Sequence, residues 1–131
     1  MKIKSGIIYN ALQTINNLSE KPMKVSLTAK LLRLSYDLQK ENEIIEKQRR
    51  DILTKYCDKD ENGQPIIDEN GNVTFNNGNV DEVQKELNEL SNIEVDIIDR
   101  NITEQELENN NLELTINEFA LIENFLHKEN E

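Results

Sequence analysis

Apolar residues recur every three or four positions in four segments of the chain, and this spacing predicts amphipathic helices. The longest segment, residues 26–57, begins at Ser26, a residue type that favours helix N-termini, and contains neither Pro nor Gly. At about 1.5 Å per residue it predicts a helix on the order of 45 Å long, part of which should project from the body. The other helices are predicted over residues 5–18, 79–91 and 116–128.

The long helix should form one arm of a helical hairpin. Its apolar residues fall on one stripe with heptad-like spacing, as in a coiled coil, but the stripe thins after Leu38. A second stripe in residues 79–91 offers a partner, and an antiparallel arrangement would bury both. The stripes consist of Leu27, Leu31, Leu34, Leu38, Ile45, Ile52 and Tyr56 in the long helix and of Val80, Val83, Leu87 and Leu90 in the shorter one.

The segment between these helices is rich in Asn, Asp and Gly and predicts a β-hairpin over residues 64–76. Two short extended stretches, residues 65–67 and 73–75, flank Asn70-Gly71, and Asn-Gly is a strong hairpin signal. A lone two-stranded ribbon is marginally stable. The hairpin should therefore rest on the helix ends or become ordered on a partner.

Near the C-terminus, residues 93–98 alternate as a half-buried strand does, and residues 112–114 offer a second short extended piece. Thr103 and Thr115 each precede a glutamate by three residues, the spacing of a capping box, so a helix should start after each. We therefore expect a mainly α fold with a small β component in a single domain, residues 1–131. A long antiparallel helical hairpin, with a β-hairpin at its tip, should pack on the N- and C-terminal helices.

Charge divides the chain into two unlike parts. Of a net charge of −11, residues 1–57 carry eleven Lys and Arg against six Asp and Glu, a net +5, and residues 58–131 carry four against twenty, a net −16. One interpretation is that helices from the two parts lie side by side with complementary faces. The other is that the surplus acid repels nucleic acid or meets a basic protein surface.

The single cysteine, Cys57, cannot form an internal disulfide, which favours a reducing compartment. The N-terminal residues read as neither a signal peptide nor a membrane span, because polar residues interrupt each apolar run. We therefore expect a cytoplasmic protein with no membrane partner.

The sharpest motif match lies in the predicted tip. Asp58, Asp60, Asn62 and Glu69 have the ligand spacing of a calcium loop that follows a helix. However, Pro65 stands where such loops use a backbone N–H, and Glu69 leads into a glycine turn and not into a helix. Because Asp-Glu-Asn-Gly occurs twice in this segment, we favour two successive tight turns over a calcium site.

The sequence gives little support for a catalytic site, a zinc site or a phosphate-binding loop. His127 and Cys57 lie far apart in the sequence, and neither has the neighbours of a catalytic dyad. One Cys and one His cannot complete a structural zinc site. Carboxylates are numerous enough to pair by chance, and the glycines lack the spacing of a phosphate-binding loop. We expect no catalytic residue, no cofactor and no metal.

One basic cluster stands out on the long helix. It could contact a phosphate backbone, or it could pair with acids of the second part of the chain. We favour ion pairing, and expect no direct contact with nucleic acid, because acids of the same helix dilute the cluster. The cluster consists of Lys40, Lys47, Arg49, Arg50 and Lys55.

Four stretches have a familiar order and texture: MKIKSGIIYNALQTINNLSEKPMKVSLTAKLLRL, RRDILTKYCDKDENG, PIIDENGNVTF and IEVDIIDRNITEQELENNNLELTINEFALIENFL. In this layout the chain resembles small acidic helical proteins of unknown function encoded by tailed phages and prophages of Gram-positive bacteria. The resemblance spans nearly the whole chain. It implies a phage- or prophage-encoded protein in the host cytoplasm, and it carries over no functional residues.

We expect a non-enzymatic protein–protein interaction or assembly protein that binds a partner or a second copy of itself. Self-association is plausible because the long helix offers more apolar surface than residues 79–91 can cover. The alternative is an acidic inhibitor of a host nucleic-acid enzyme, a DNA mimic of the anti-restriction or anti-CRISPR type. The candidate partner-binding residues are Leu31, Leu34, Leu38, Ile45, Ile66 and Phe75.

Overall fold

A computed structural model describes residues 1–128 of the chain, and within them the fold is mainly helical with one small antiparallel sheet, as predicted. Single 3-10 turns at Ser5–Ile7 and Glu123–Phe125 adjoin the first and the last α-helix. In chain order the elements are β1 (Lys2–Lys4), α1 (Ile8–Leu18), α2 (Val25–Tyr56), α3 (Val80–Asn92), β2 (Glu94–Asp96), α4 (Glu104–Asn109) and α5 (Ile116–Ile122).

The long helix α2 has 32 residues, which corresponds to about 48 Å. It begins at Val25, one residue earlier than predicted, after an extended Lys24. No side chain caps its first turn, so the prediction of a cap at Ser26 is wrong. The helix forms because residues 25–56 contain no Pro or Gly and because its apolar stripe is buried.

Two different helices cover the stripe of α2. Its first half packs on α1, and Leu27, Leu31, Leu34 and Leu38 belong to the central core. Its second half faces α3, where Ile45 lines a groove together with Leu87 and Leu90. The antiparallel hairpin is therefore confirmed, but α3 covers only the distal part of the stripe. Val80, predicted to lie in the α3 stripe, is 54% exposed.

The two strands join the N-terminal segment to the segment that follows α3. Strand β1 pairs with β2 in antiparallel register, with Lys2 opposite Asp96 and Lys4 opposite Glu94. Beyond the sheet, the N-terminal amino group donates to the carbonyl oxygen of Ile97 at 2.7 Å. The strand at residues 94–96 was predicted, whereas its partner at residues 2–4 was not.

Threonine caps start the two C-terminal helices, as predicted. The hydroxyl oxygen of Thr103 accepts from the N–H of Glu106 at 3.1 Å, and Thr115 and Glu118 form a complete capping box. Helix α5 packs on α1. It ends at Ile122, short of the predicted residue 128, because the chain tightens into a 3-10 turn that buries Phe125.

The extended piece predicted at residues 112–114 forms no strand in the described chain, although Leu112 and Leu114 pack against the core. Among the most deeply buried side chains are Ile102, Ile122 and Phe125 from this C-terminal part. No helix in the described part of the chain has the length and apolar character needed to cross a membrane.

Ion pairs connect the basic first part of the chain to the acidic second part. Lys30 pairs with Glu106 at 2.6 Å, and Lys2 pairs with Asp96 at 2.8 Å. Lys55 of α2 lies 3.4 Å from Glu86 of α3. These pairs agree with the interpretation that oppositely charged faces lie side by side.

Candidate interaction surface

The far end of the hairpin, residues 57–79, is a set of tight turns that we call the tip. The first turn is built by Asp60, whose Oδ1 accepts from the N–H of Asn62 at 2.9 Å and of Gln64 at 3.0 Å. Eight residues later Asp68 repeats the arrangement with Asn70 and Asn72, at 2.8 and 3.0 Å. The two successive turns predicted from the repeated Asp-Glu-Asn-Gly are therefore confirmed. Gly63 and Gly71 adopt the left-handed φ values of 77° and 80° that this turn needs.

Asp58, Ile66 and Thr74 follow one another at intervals of eight residues, and three main-chain hydrogen bonds join them into a ring. The N–H of Ile66 donates to the carbonyl of Asp58 at 2.9 Å, and the N–H of Thr74 donates to Ile66 at 3.2 Å. The N–H of Asp58 closes the ring on the carbonyl of Thr74 at 2.8 Å. The tip is thus a closed hydrogen-bonded unit and not a pair of loose loops.

The β-hairpin predicted over residues 64–76 is present within this ring in a reduced form. Pairing is limited to two isolated antiparallel bridges, Lys59 with Pro65 and Ile67 with Val73. The two predicted segments therefore do pair, but they do not form regular strands, because Ile66 divides its main-chain bonds between two neighbours, Asp58 and Thr74. Neither pairing can then lengthen into a regular ladder.

Asp58 holds a third turn against the first two. Its carboxylate accepts from the Thr74 hydroxyl at 2.7 Å, from the N–H of Asn76 at 2.7 Å and from the N–H of Asn77 at 2.9 Å. Led by the backbone N–H of Asn76, these donors lower the pKa of Asp58 below its ordinary value of 3.8. The charged carboxylate is therefore part of the tip's structure.

The same hydrogen bonds bear on the candidate calcium loop of Asp58, Asp60, Asn62 and Glu69. Asp58 and Asp60 direct carboxylate oxygens at main-chain N–H groups of different turns. Within residues 1–128 no three acidic, His or Cys side chains are grouped so that they could hold a metal ion. The geometry is that of the turn pair that we favoured.

The tip is fastened to the end of α2. The side-chain amides of Asn77 and Asn79 donate to the carbonyl oxygen of Tyr56, at 3.0 and 3.3 Å. That carbonyl is one of those left without an intrahelical partner at the end of α2. Cys57, the first residue of the tip, is buried and its thiol donates to the Thr54 carbonyl at 3.4 Å. The tip therefore has a fixed orientation on the hairpin.

Apolar side chains project from this unit. Ile66 is 42% exposed and Ile67 is 54% exposed. Beside them a groove of about 430 Å³ runs between the tip and the last turns of α2, and half-buried Phe75 lies in its wall. Its lining residues are Arg50, Leu53, Thr54, Gly71, Asn72, Val73 and Phe75. Ile66 and Phe75 were candidates from the sequence, whereas Ile67 was missed because a regular hairpin would have given it no special role.

The other predicted partner-binding residues lie elsewhere. Leu31, Leu34 and Leu38 are buried, with at most 5% of their surface exposed, because α1 covers them. The expectation that they offer a free apolar surface is wrong. Ile45 is half-buried against the core. Of the six candidates, only Ile66 and Phe75 lie at the tip.

The basic cluster of α2 pairs with the second part of the chain at one point. Lys55 reaches Glu86 of α3. The neighbouring Tyr56 hydroxyl and, after it, Glu86 raise the pKa of Lys55 above its ordinary value. Lys47 and Arg49 pair instead with acids of α2 itself, Asp51 and Glu46. For these two the predicted pairing with the second part is wrong, since an acid one helical turn away is closer. Lys40 and Arg50 form no ion pair within residues 1–128.

His127 and Cys57, considered above for catalysis, have separate hydrogen-bond partners. The His127 ring shares a 2.7 Å hydrogen bond with Asp99, which lowers the pKa of that carboxyl. The backbone N–H of His127 donates to Ile102 at 2.7 Å, so this residue fastens the C-terminal segment to the core. The thiol of Cys57 donates to the Thr54 carbonyl in the last turn of α2.

Comparison with known proteins adds no constraint on this surface: the chain matches no protein-family model, and no curated protein and no solved structure is detectably similar to it.

Proposed function

We propose that the protein is a non-enzymatic interaction or assembly protein that docks on a protein partner through its tip. The observation that carries the proposal is the exposure of Ile66 and Ile67 on a unit whose main chain is closed by hydrogen bonds. Exposed apolar residues on mobile loops are common and uninformative. On a rigid support they bind without a large cost in conformational entropy.

The position of the tip supports this role. Helix α2 separates the tip from the core by the length of its second half, where α3 is the helix packed against it. Residues at the end of such an arm can enter a cleft that the body of the protein could not approach. The tip also requires many specialised residues, three Gly at positive φ among them, that a plain helical connection would not.

The charge of the tip indicates the chemistry of the partner. Residues 57–79 contain five acidic residues and one basic residue around the exposed isoleucines. We therefore propose an apolar cleft with a basic rim on the partner, in which Ile66 and Ile67 are the anchors. The basic rim would accelerate the encounter and orient the tip. Following the resemblance noted above, we place this interaction in the cytoplasm of a phage or prophage host.

The alternative, an acidic inhibitor that imitates nucleic acid, has less support. Such a mimic presents ordered and unpaired carboxylates, yet Glu86, Asp96 and Glu106 are engaged by lysines of the first part of the chain. These are three of the twenty acidic residues of the second part of the chain. We keep this alternative as an outcome that the binding experiment can recognise.

The experiment is a comparison of tagged variants in affinity capture from the cells that encode the protein. We expect Ile66→Asp and Ile67→Asp to lose the captured partner, because a charge cannot enter an apolar cleft. The matched control is Ile98→Asp, since Ile98 is 61% exposed but lies outside the tip. Both tip variants should retain the helical circular dichroism of the wild type.

The outcome separates the hypotheses. Docking through the tip is supported if the partner is lost with the tip variants but not with the control variant, and if high salt removes it only in part. A partner that is retained by the tip variants contradicts the proposal. Capture of a nucleic-acid enzyme that salt alone abolishes, with no effect of the tip variants, favours the inhibitor.

A further inference from the structure

Each of the three turns of the tip contains an asparagine that is followed by a glycine. The side-chain amide of an asparagine in this context is prone to hydrolysis, because glycine has no Cβ to hinder the approach of its own main-chain nitrogen to that amide. All the residues of these pairs are exposed to solvent. The pairs are residues 62–63, 70–71 and 77–78.

The reaction, deamidation, needs no reagent other than water. The main-chain nitrogen of the glycine gives up its proton to the solvent and forms a bond to Cγ of the asparagine. The bond from Cγ to the amide nitrogen breaks, and that nitrogen takes up a proton and leaves as ammonia. Water then opens the cyclic imide to aspartate or to isoaspartate, in which the main chain is one carbon longer. The rate in a folded protein therefore depends on how readily the glycine nitrogen can reach Cγ.

The three glycines are equally open to solvent. Apart from adjacent residues, no atom would lie within 4 Å of a Cβ at Gly63, Gly71 or Gly78. The N–H of Gly63 donates to the carbonyl of Asp60 at 3.0 Å, and the N–H of Gly71 donates to that of Asp68 at 3.1 Å. The N–H of Gly78 makes no comparable bond within residues 1–128. The glycines therefore give the third pair no protection that the first two lack.

The asparagine side chains differ in how they are held. Those of Asn62 and Asn70 form no hydrogen bond within residues 1–128, where only their main-chain N–H groups are engaged, each by the aspartate of its own turn. The side chain of Asn77 is held at both ends. Its Nδ2 donates to the carbonyl of Tyr56 at 3.0 Å, and its Oδ1 accepts from the N–H of Asn79 at 3.1 Å. Both bonds must break before Cγ of Asn77 can move toward the next nitrogen.

We propose that Asn62 and Asn70 are sites of deamidation in the folded protein and that Asn77 is protected from it. Opening of the chain at Asn62 breaks hydrogen bonds among residues 60–64 alone, and opening at Asn70 breaks those among residues 68–72 alone. Opening at Asn77 also breaks the bond to Tyr56 at the end of α2. Since an exposed turn opens more readily than a segment fastened to a helix, the first two asparagines react faster.

The reaction changes both the charge and the shape of the tip with time. Conversion of Asn62 and Asn70 raises the number of acidic residues within residues 57–79 from five to seven. Where the product is isoaspartate, the additional main-chain carbon displaces the glycine N–H from the carbonyl of Asp60 or Asp68. The inference goes beyond the proposed function and does not depend on it, because the reaction involves no partner.

Peptide mapping by mass spectrometry tests the proposal, since it detects the mass gained when an amide becomes a carboxyl group. The protein is incubated in mildly alkaline buffer, once folded and once unfolded in guanidinium chloride. Cleavage after Glu61 and Glu69 places Asn62 in its own peptide. Fragmentation of the next peptide distinguishes Asn70 from Asn77. We expect similar rates at all three sites in the unfolded chain, whereas in the folded protein Asn77 should react at least about tenfold more slowly than the other two.

The repeated turn supplies matched controls within one molecule. Asp60→Ala removes the acceptor of two main-chain N–H groups in the first turn. It should speed the reaction of Asn62 in the folded protein at least about threefold and leave that of Asn70 unchanged, and Asp68→Ala should do the reverse. Circular dichroism verifies that each variant is folded.

Three results would overturn the proposal. The first is a folded protein in which Asn77 reacts as fast as Asn62 and Asn70. The second is a folded protein in which Asn62 and Asn70 stay intact while the unfolded chain is converted. The third is an unchanged rate of Asn62 in Asp60→Ala, because opening of the turn would then not limit the reaction.

Discussion

The guanidinium of Arg100 donates two hydrogen bonds, of 2.7 and 2.8 Å, to the two carboxylate oxygens of Asp37. This bidentate pair connects the segment between β2 and α4 to the middle of α2. Arg100 and Asp37 keep 26% and 21% of their side-chain surface exposed, so both are partly shielded from water. The hydrogen bond to Asp37 also raises the pKa of Arg100, which stays charged at all relevant pH values.

Replacement of Arg100 by Ala should lower the melting temperature by roughly 5 °C, because Asp37 would keep a partly buried charge without its donor. Arg100→Lys retains the charge but not the two parallel hydrogen bonds. Its melting temperature should therefore lie between those of the wild type and of Arg100→Ala. Thermal unfolding monitored by circular dichroism measures both. Melting of Arg100→Ala within about 1 °C of the wild type would show that the pair orients the segment without stabilising it.

Leu38 and Leu32 give a matched pair of core and surface positions on the same helix. Leu38 is fully buried in the central core, whereas Leu32 is about half exposed. Leu38→Ala should reduce the free energy of unfolding by about 3 kcal/mol, since it removes buried apolar atoms and leaves a cavity. Leu32→Ala should cost less than about 1 kcal/mol. Urea denaturation compares the two variants, and equal losses would contradict the described burial.

The helices were predictable because the 3.6-residue period of burial is visible in a single segment. Leu31, Leu34 and Leu38 follow that period, and so do Val83 and Leu90. The period does not show which helix packs against each part of the buried stripe of α2. Both α1 and α3 are amphipathic, and their order along α2 follows from the tertiary packing. For this reason Leu31, Leu34 and Leu38 were mistaken for partner-binding residues.

Strand β1 could not be predicted from the sequence. Its three residues pair with β2 about 90 positions later, and Lys2 bonds to Asp96 across the sheet. Three residues do not establish an alternating pattern. At the tip, the repeated Asp-Glu-Asn-Gly indicated the turns correctly. The ring through Asp58, Ile66 and Thr74 was not evident, because it depends on pairing between turns and not within one.

Loss of the Asp58 carboxylate should loosen the tip and leave the rest of the fold unchanged. Asp58→Ala removes the acceptor of the Thr74 hydroxyl and of the N–H groups of Asn76 and Asn77. We expect faster amide hydrogen exchange at Asn76 and Asn77, by at least about tenfold, while amides in α1 and the first half of α2 keep their rates. The exposed Glu61 serves as the control position, with Glu61→Ala. Unchanged exchange at Asn76 and Asn77 would mean that other contacts hold the third turn.

Asp99 should make the stability depend on pH in the acid range. The hydrogen bond from His127 lowers the pKa of Asp99 below its ordinary value of 3.8. A depressed pKa in the folded state means that the unfolded chain binds more protons as the pH falls. This contribution is therefore complete above about pH 5 and is lost as the pH falls through 3.8 toward the folded pKa.

Urea denaturation of the wild type and of Asp99→Asn, at several pH values from about 7 to about 2.5, measures this contribution. The variant should be less stable at neutral pH, and the difference should shrink toward zero at the lowest pH. Glu108→Gln, at an exposed position of α4, controls for the loss of one negative charge. A difference that stays constant over the whole range would show that Asp99 contributes by packing and not by its charge.

Gly6 sets the distance between the N-terminal segment and the hairpin. A Cβ at this position would lie 3.1 Å from both the Cβ and the carbonyl oxygen of Ser91, in the last turn of α3. The oxygen belongs to the main chain and cannot rotate away, so Gly6→Ala must separate the Ser5–Ile7 turn from α3. We expect a loss of roughly 1–2 kcal/mol in the free energy of unfolding.

The neighbouring residue provides the test of that cause. Ser91→Gly removes one of the two close atoms, so the loss in the double variant should be smaller than the sum of the two single losses. Additive losses would mean that Gly6→Ala acts on the turn itself. Coupled losses would establish that close packing of Gly6 on Ser91 joins the N-terminal turn to the hairpin, and hence fixes the direction in which the tip projects from the core.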